Sequence, residues 1–252
     1  MIQVIKIGGG VLENEAQRNQ FLQQFAAIEG PKVLVHGGGR LATTLADRLG
    51  VETQMIDGRR VTDKETLDIV TMVYGGLVNK QVVAQLHTMG GVNAIGLTGV
   101  DGGWMQSVKR PIKNGIDYGY VGDVTEVNGF YLRMLIGMGL TPVIAPITYS
   151  AEGLLLNTNA DTVASMTAIS LEPEVQLTFC FEKAGVLSNP DDESSLIPRI
   201  TRESYTQLKA NGIISGGMIP KIDNAFAAIE HGVQSVRITH ASNLQGGTVI
   251  NC

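Results

Sequence analysis

The sequence predicts an α/β fold, and three observations lead to that prediction. Short apolar runs alternate with amphipathic segments, which is typical of strands that alternate with helices. Glycine accounts for 31 of 252 residues, about twice the average usage of roughly 7%. It clusters just after apolar runs, where a backbone turns sharply or approaches a ligand. The composition, 44% apolar and 17% charged, is that of a compact globular protein.

The first half of the chain predicts four strands and four helices. Strands are short apolar runs, and helices are placed where apolar residues recur at helical spacing. In chain order these are a strand at Ile2–Ile7, a helix over 14–28, a strand at Lys32–His36, a helix ending at Leu49, a long helix over 63–89, a strand over 92–97, a helix over 130–138 and a strand at Thr141–Ala145. Gly75-Gly76 is a candidate interruption of the long helix. Residues 104–127 alternate short polar pieces with Gly and Asp, which predicts β-hairpins.

The second half continues the same alternation. Its predicted elements are a helix over 159–170, a strand at Val175–Phe181, loop and short strand up to residue 200, helices over 201–211 and 218–231, a strand over 235–239 and a strand at Thr248–Ile250. No internal repeat or linker divides the chain, so we expect one domain. A seam near Asn157 separates an N-terminal lobe, 1–156, from a C-terminal lobe, 157–252.

Composition excludes several function classes. The net charge of −5 provides no broad cationic field for nucleic acid or an anionic membrane. No uncharged apolar run approaches the roughly 18–20 residues that a membrane span needs. The first residues read directly as a strand rather than as a leader. Two cysteines form no disulfide framework, which favours a cytoplasmic location, and with four histidines they argue against a zinc site.

Two glycine runs follow predicted strands and are candidate anion sites. Lys6 lies near the end of an apolar strand, just before Gly8-Gly9-Gly10, and the carboxyl ends of parallel strands are where ligands bind. An ammonium beside exposed backbone N–H groups suits phosphate oxygens, although a solvated strand-end lysine has the same pattern. His36-Gly37-Gly38-Gly39-Arg40 lacks both the G-x-G-x-x-G and the G-K-[ST] spacing, so it is a different glycine-rich loop.

Three further polar segments precede predicted helices. Arg59-Arg60 suits bidentate carboxylate or phosphate binding, although surface arginines are common. Asn157-Thr158-Asn159-Ala160-Asp161 holds two amides and a carboxylate, more than one helix cap requires. Lys221 follows the Gly216-Gly217 pair, in the first turn of a predicted helix, where a cation is unfavourable unless an anion compensates it.

Together these segments resemble the amino acid kinase family, and within it the N-acetyl-L-glutamate kinases of arginine biosynthesis. The resemblance covers nearly the whole chain, in order, through seven short motifs: Lys6-Ile7-Gly8-Gly9, His36-Gly37-Gly38-Gly39, Arg60-Val61-Thr62, Asn79-Lys80, Asn157-Thr158-Asn159-Ala160-Asp161, Gly185-Val186-Leu187 and Gly217-Met218-Ile219-Pro220-Lys221. It implies an αβα sandwich with a mainly parallel sheet. It also implies an N-terminal lobe that binds the acylated amino acid and a C-terminal lobe that binds MgATP.

The resemblance implies ATP-dependent phosphorylation of the γ-carboxylate of N-acetylglutamate to an acyl phosphate. Lys6 and Lys221 would stabilise the transition state, and Asp161 would orient them. Substrate binding would fall to Gly38, Gly39, Arg60 and Asn157, and γ-phosphate binding to the amides of Gly8 and Gly9. The nucleotide pocket would be lined by Glu182, Lys183, Ala184, Gly185, Val186, Leu187, Ile213, Ile214 and Ser215. Mg²⁺ would be held mainly by the phosphates of ATP.

One departure and several alternatives remain open. Family members usually read T/S-D-V-x-G-V-L where this chain has Phe181-Glu182-Lys183-Ala184-Gly185-Val186-Leu187, which leaves the details of ATP contact open. The acyl group could be acetyl or a larger one such as succinyl. Carbamate, glutamate and uridylate kinases match the His-Gly-Gly-Gly and Arg60 segments less well, and aspartokinase would need a regulatory domain. A non-catalytic sensor is disfavoured because Lys6, Lys221 and Asp161 are all present.

We also expect a homodimer. The long helix over 63–89 is apolar on more than one face, and burying the surplus against a symmetry mate would give an isologous dimer. The residues that make this pattern are Ile69, Val70, Met72, Val73, Leu77, Val82, Val83 and Leu86. The alternative is that the second face packs inside the protomer. The first strand begins at Ile2, so we expect neither the N-terminal helix that links arginine-inhibited family members into hexamers nor a response to arginine.

Overall fold

A computed structural model describes residues 1–56, 59–189, 191–215 and 218–252, with only the backbone of Pro220. Gly216-Gly217, the pair expected to open the last helix, lies outside the described residues. The strands are β1 (Ile2–Ile7), β2 (Lys32–His36), β3 (Met55–Ile56), β4 (Arg59–Arg60), β5 (Ala94–Thr98), β6 (Met105–Lys109), β7 (Val121–Val127), β8 (Thr141–Ala145), β9 (Ile147–Tyr149), β10 (Leu155–Thr158), β11 (Val175–Phe181), β12 (Arg199–Ile200), β13 (Ser235–His240) and β14 (Thr248–Ile250).

Apart from α1, which was not predicted, the α-helices match the predicted segments with shifted ends, and α4 and α5 together correspond to the predicted long helix. They are α1 (Gly9–Glu13), α2 (Glu15–Ala26), α3 (Gly39–Leu49), α4 (Lys64–Val70), α5 (Asn79–His87), α6 (Gly129–Gly137), α7 (Ala160–Ser170), α8 (Arg202–Ala210) and α9 (Met218–Glu230). Side chains of Asn14, Asp63, Asn128, Asn159 and Thr201 cap α2, α4, α6, α7 and α8 respectively. A capping oxygen satisfies backbone N–H groups that have no acceptor within their own helix, which is why these helices begin where they do.

The main sheet has eight strands in the order β12-β14-β13-β11-β1-β2-β8-β5. All neighbours run parallel except β13 and β14. Alternate residues of a strand face opposite sides, and here Val4 packs into one hydrophobic core while Ile5 packs into the other. One core lies beneath α6, α7 and α9, and the other beneath α1 to α5. This αβα sandwich with a mainly parallel sheet confirms the expected fold class.

Several parts of the chain differ from the expectation. The predicted hairpin region supplies β6 and β7, but these join β9 and β10 in a closed ring of four short strands. Strands β9 and β10, like the two-residue strands β3 and β4, were not predicted, because two to four residues are too few to show a period-2 pattern. The glycine pair Gly75-Gly76 does not break the long helix. It lies in a π-helical stretch, Thr71–Val78, that joins α4 to α5.

The apolar face proposed for dimerisation is mostly covered within the protomer. Ile69, Val70, Val73, Val82 and Leu86 are buried, whereas Met72 and Leu77 remain about half exposed, at 54% and 50%. The apolar surface left on this helix is therefore small. No helix in the described ranges is long and apolar enough to span a membrane.

Candidate active site

Lys6 and Asp161 form an ion pair at the carboxyl edge of the sheet. Lys6 is the penultimate residue of β1 and faces the same side as Val4, towards α7. Its Nζ lies 2.9 Å from Asp161 Oδ1, in the first turn of α7. The cap of that helix is Asn159, whose Oδ1 accepts from the N–H groups of Asp161 and Thr162 at 2.9 and 3.1 Å. Because the capping role is filled by Asn159, the Asp161 carboxylate is available to hold Lys6.

Lys221 approaches the same point from α9. Lys6 and Lys221 line one cavity of about 320 Å³. The pKa of Lys221 is lowered from its usual value, chiefly because burial penalises the ammonium. Asp161 opposes that shift and Lys6 adds to it. Its Nζ lies 3.8 Å from the centroid of the Phe181 ring, a cation–π contact that holds the ammonium over the end of β11.

The two glycine loops pack against each other, backbone to backbone. A Cβ at Gly9 would lie 3.1 Å from Gly38 N, and one at Gly38 would lie 2.8 Å from Tyr74 Cδ1. Neither position has room for a side chain. Gly38 precedes α3, whose first N–H groups have no acceptor within the helix and favour an anion.

A second cavity, of about 210 Å³, brings together the four predicted substrate residues, Gly38, Gly39, Arg60 and Asn157. Arg59, on the neighbouring position of β4, lines it too. Asn157 donates from Nδ2 to Thr62 Oγ1 at 3.0 Å, which fixes the amide plane beside the cavity. The residues come from β4, β10 and the loop after β2, so their assembly depends on the tertiary fold.

Arg60 is held rigidly but incompletely paired. Its side chain is 9% exposed, and Nη2 donates to Gly39 O and to Thr43 Oγ1, both at 2.8 Å. Its other terminal nitrogen, Nη1, is buried and has no hydrogen-bond partner among the described residues. A buried guanidinium N–H without an acceptor is costly. Arg60 therefore retains hydrogen-bonding capacity that an anionic ligand could satisfy.

The residues predicted to bind the nucleotide fall into two groups, those that line the cavity with Lys6 and Lys221 and those that do not. Gly8, Glu182, Lys183 and Gly185 line the cavity that contains Lys6 and Lys221. In contrast, Val186, Leu187 and Ile214 are buried, and Val186 and Ile214 belong to the hydrophobic core. Ala184 and Ile213 are half-buried and Ser215 is exposed, and none of these three lines either cavity.

The departure from the family motif places a charged contact beside the cavity that contains Lys6 and Lys221. Arg40 Nη2, on α3, lies 3.7 Å from Glu182 Oε1, just after β11. Both side chains are largely exposed, at 71% and 87%. Exposed pairs of this length contribute little to stability.

Two residues that complete the site were not predicted from the sequence. Tyr74 lines the substrate cavity beneath Gly38, and burial raises the pKa of its phenol while Arg60 opposes that shift. It lies in the π-helical stretch, among apolar residues that read as core. Phe181, the platform for Lys221, likewise reads as an ordinary strand residue. Among the described residues, no group of three or more His, Cys, Asp and Glu side chains is arranged to hold a metal ion.

Comparisons with known proteins agree with this architecture. Residues 1–240 match the model of the amino acid kinase family. The acetylglutamate kinase of Phocaeicola vulgatus is 55% identical over 253 residues, which cover 99% of this chain and 98% of that protein. The acetylglutamate kinase of Methanopyrus kandleri is 40% identical over 249 residues, which cover 98% of each. A solved structure from Streptococcus mutans UA159 matches with a TM-score of 0.77 and 30% identity, covering 99% of this chain and 98% of that one.

Proposed function

This chain belongs to the amino acid kinase family, and from that premise we propose that it transfers the γ-phosphoryl group of ATP to the γ-carboxylate of N-acetyl-L-glutamate. The products are an acyl phosphate and ADP. The observation that carries the proposal is the buried guanidinium of Arg60, with one free nitrogen, in the same protomer as a cavity lined by Lys6 and Lys221, of which Lys6 is paired with Asp161. High identity to two acetylglutamate kinases over nearly the full length supports the same reaction.

The reaction needs charge stabilisation more than acid–base chemistry. A carboxylate is already ionised at neutral pH, so no general base is required to activate it. The barrier comes from bringing an anion to a polyanion and from charge that spreads over the transferring phosphoryl oxygens. Preorganised cations and amides in a partly dehydrated site supply that stabilisation.

We assign each residue a role in this reaction from its position in the structure. We assign Arg60 to a carboxylate of the acyl amino acid, because Arg60 lines the cavity with Gly39 and its Nη1 has no hydrogen-bond partner among the described residues. Lys6 and Lys221 would stabilise the phosphoryl group, with Asp161 holding Lys6 in place. Gly38, Gly39 and Asn157 would complete substrate binding. Gly8 and Gly9 would bind the γ-phosphate. Thus the lobe over 1–156 would mainly bind the acyl amino acid, and the lobe over 157–252 would mainly bind the nucleotide.

The nucleotide end is proposed with ATP and Mg²⁺. Glu182, Lys183 and Gly185 line the cavity near Lys221 and would contact the nucleotide directly. Ala184, Val186, Leu187, Ile213, Ile214 and Ser215 remain predicted residues of the nucleotide pocket, although none of them lines this cavity. Mg²⁺ would be held mainly by phosphate oxygens, because the residues described here offer no ready-made ligand set. When bound, the cation neutralises phosphate charge.

A trapping assay tests the activity and the acyl group together. The protein is incubated with ATP, Mg²⁺ and hydroxylamine, and with N-acetyl-L-glutamate, N-succinyl-L-glutamate or unacylated L-glutamate. We expect hydroxamate and ADP in equal amounts with N-acetyl-L-glutamate. Hydroxamate made faster from the succinyl compound would assign the larger acyl group. Binding of an acylated glutamate without any hydroxamate would instead support the sensor alternative.

We further propose a cytoplasmic homodimer. The exposed Met72 and Leu77 on the long helix support a two-fold contact, although most of that helix is covered by the chain itself. Both cysteines are free, as a reducing compartment would keep them. Sedimentation equilibrium of the purified protein would give twice the chain mass for a dimer, and a single chain mass would exclude one.

A further inference from the structure

One motif remains without a role in the reaction as proposed. Asn79-Lys80 begins α5, after the π-helical stretch, and lines neither the substrate cavity nor the lysine cavity. Asn79 is nevertheless fully buried. A buried amide needs partners for two donors and one acceptor, so its contacts show what it does.

Asn79 lies at the centre of a directed chain of hydrogen bonds. Its Nδ2 lies 3.1 Å from His36 Nε2 and donates to Val143 O at 2.9 Å. Its Oδ1 accepts from Lys80 Nζ at 3.1 Å. Because the carbonyl of Val143 only accepts and the ammonium of Lys80 only donates, the orientation of the amide is determined. Nδ2 must therefore donate to His36 Nε2.

This donor determines the tautomer of His36. With Nε2 accepting, the ring proton must lie on Nδ1, which is 2.9 Å from the carbonyl oxygen of Gly37 and donates to it. His36 is completely buried, and burial lowers its pKa to about 4, so the ring is neutral at physiological pH. Lys80 is the charged group that adds to this shift. The series of hydrogen bonds thus runs from the ammonium of Lys80 to the loop that carries Gly38 and Gly39.

The space for the amide is provided by Gly96 on the edge strand β5. A Cβ at Gly96 would lie 1.9 Å from Asn79 Oδ1 and 2.7 Å from Lys80 Nζ. No other residue type leaves room for Asn79 in this position. Four elements, β5, α5, β8 and β2, therefore meet on one amide.

We propose that Asn79 is a positioning residue for the acyl amino acid: through His36 it holds the Gly37 carbonyl, and with it the backbone of Gly38 and Gly39 in the substrate cavity. Without the Asn79 donor, His36 Nε2 no longer has to accept a hydrogen bond, so the ring proton is no longer confined to Nδ1. The Gly37 carbonyl can then lose its donor. The loop then samples other orientations, and the acyl amino acid binds to only a fraction of them. Nucleotide binding does not depend on this series of hydrogen bonds.

The first test is kinetic and rests on the proposed function. Asn79→Leu keeps the branched shape but removes the amide, and Gly96→Ala displaces the amide without altering it. Both variants should raise KM for N-acetyl-L-glutamate about tenfold, the effect of about 1.4 kcal/mol, with KM for ATP changed less than about twofold. The matched controls are Gln81→Ala, an exposed amide on the same helix, and Gly137→Ala, a helical glycine with open space around it. Both controls should bind substrate normally.

The second test does not depend on any activity. In protein labelled with ¹⁵N-histidine, the resonances of His36 are those absent from the His36→Gln variant. We expect the Nδ1–H tautomer at pH 7 in the native protein and loss of that single tautomer in Asn79→Leu. The Nε2–H tautomer in the native protein, or equal effects of Asn79→Leu on both KM values, would overturn the proposal. A correct tautomer with no turnover would instead leave it standing and remove the proposed function.

Discussion

The two ends of the candidate site are built in different ways. At the end proposed for the acyl amino acid, Arg60 is 9% exposed and its Nη2 has two acceptors, while Asn157 is held by Thr62. At the end proposed for the nucleotide, Glu182 is 87% exposed and pairs with the exposed Arg40 at 3.7 Å. One end is fixed by buried polar contacts before any ligand arrives, whereas the other presents solvated charges.

This difference predicts that the proposed acyl amino acid end is selective for its ligand, whereas the proposed nucleotide end tolerates sequence changes. Buried groups with few alternatives discriminate strongly, because a wrong ligand leaves them unpaired. Exposed charges are screened and rearrange at little cost. The altered Glu182-Lys183 segment lies at the tolerant end, so a departure there can coexist with intact chemistry. We propose that Lys6, Asp161 and Lys221 act where the two ends meet.

The largest effect is expected between the two ends. Lys6→Ala and Lys221→Ala should each lower kcat by roughly 10²-fold or more, about 2.7 kcal/mol, with much smaller changes in KM. Each ammonium would interact more strongly with the developing charge than with the bound substrates. Steady-state kinetics with both substrates varied measures this split. Near-normal turnover in either variant would remove that lysine from the mechanism.

A pH titration tests how firmly the acyl end is fixed. The pKa of His36 is about 4 in the folded protein because the ring is buried, against an ordinary value of 6.5. The unfolded chain therefore binds the proton more readily, so stability is full above pH 6.5 and falls as the pH drops towards 4. Between pH 7 and pH 5 this loss should be about 2 kcal/mol. Urea unfolding at each pH measures it, and His36→Gln should flatten the slope over that range.

Arg60→Lys probes the same end through its ligand. Lysine cannot reproduce the two-nitrogen fork of arginine, so KM for N-acetyl-L-glutamate should rise about tenfold, a loss of about 1.4 kcal/mol. KM for ATP should remain nearly unchanged. A rise in KM for ATP alone would indicate that Arg60 binds the nucleotide, and the comparison of the two ends would then be wrong.

The smallest effect is expected at the exposed end. Glu182→Gln removes the carboxylate that faces Arg40 but keeps the side-chain length. The free energy of unfolding should change by less than about 0.5 kcal/mol, and KM for N-acetyl-L-glutamate should be unaffected. Thermal unfolding and kinetics measure both. A large loss of stability would show that the contact between Glu182 and Arg40 contributes substantially to the free energy of unfolding.

The sequence predicted the parts of the site that depend on local patterns. Strand ends followed by glycine led to Lys6 and to the loop at Gly38, and a surplus of polar groups before α7 led to Asp161. Tyr74 and Phe181 could not be found this way, because their roles depend on neighbours that are distant in sequence. The partners of Asn79 come from β2 and β8 for the same reason.

Boundaries were missed for equally physical reasons. The strands β9 and β10 are too short to show alternation, and their pairing with β6 and β7 is a tertiary event. Glycine in an exposed helix interior usually weakens it. In this chain the packing of Val73, Tyr74 and Val78 outweighs that cost, and the helix continues through Gly75-Gly76.

The account depends most on the γ-carboxylate being the group that accepts the phosphoryl. N-acetyl-L-glutamate labelled with ¹⁸O in that carboxylate, incubated with ATP, Mg²⁺ and hydroxylamine, tests this directly. Attack of the carboxylate on phosphorus makes its oxygen the bridge of the acyl phosphate, and hydroxylamine then displaces phosphate at the carbonyl carbon. The released phosphate should carry one ¹⁸O atom per hydroxamate formed. Unlabelled phosphate, produced without hydroxamate, would mean that water accepts the phosphoryl group and would contradict the account.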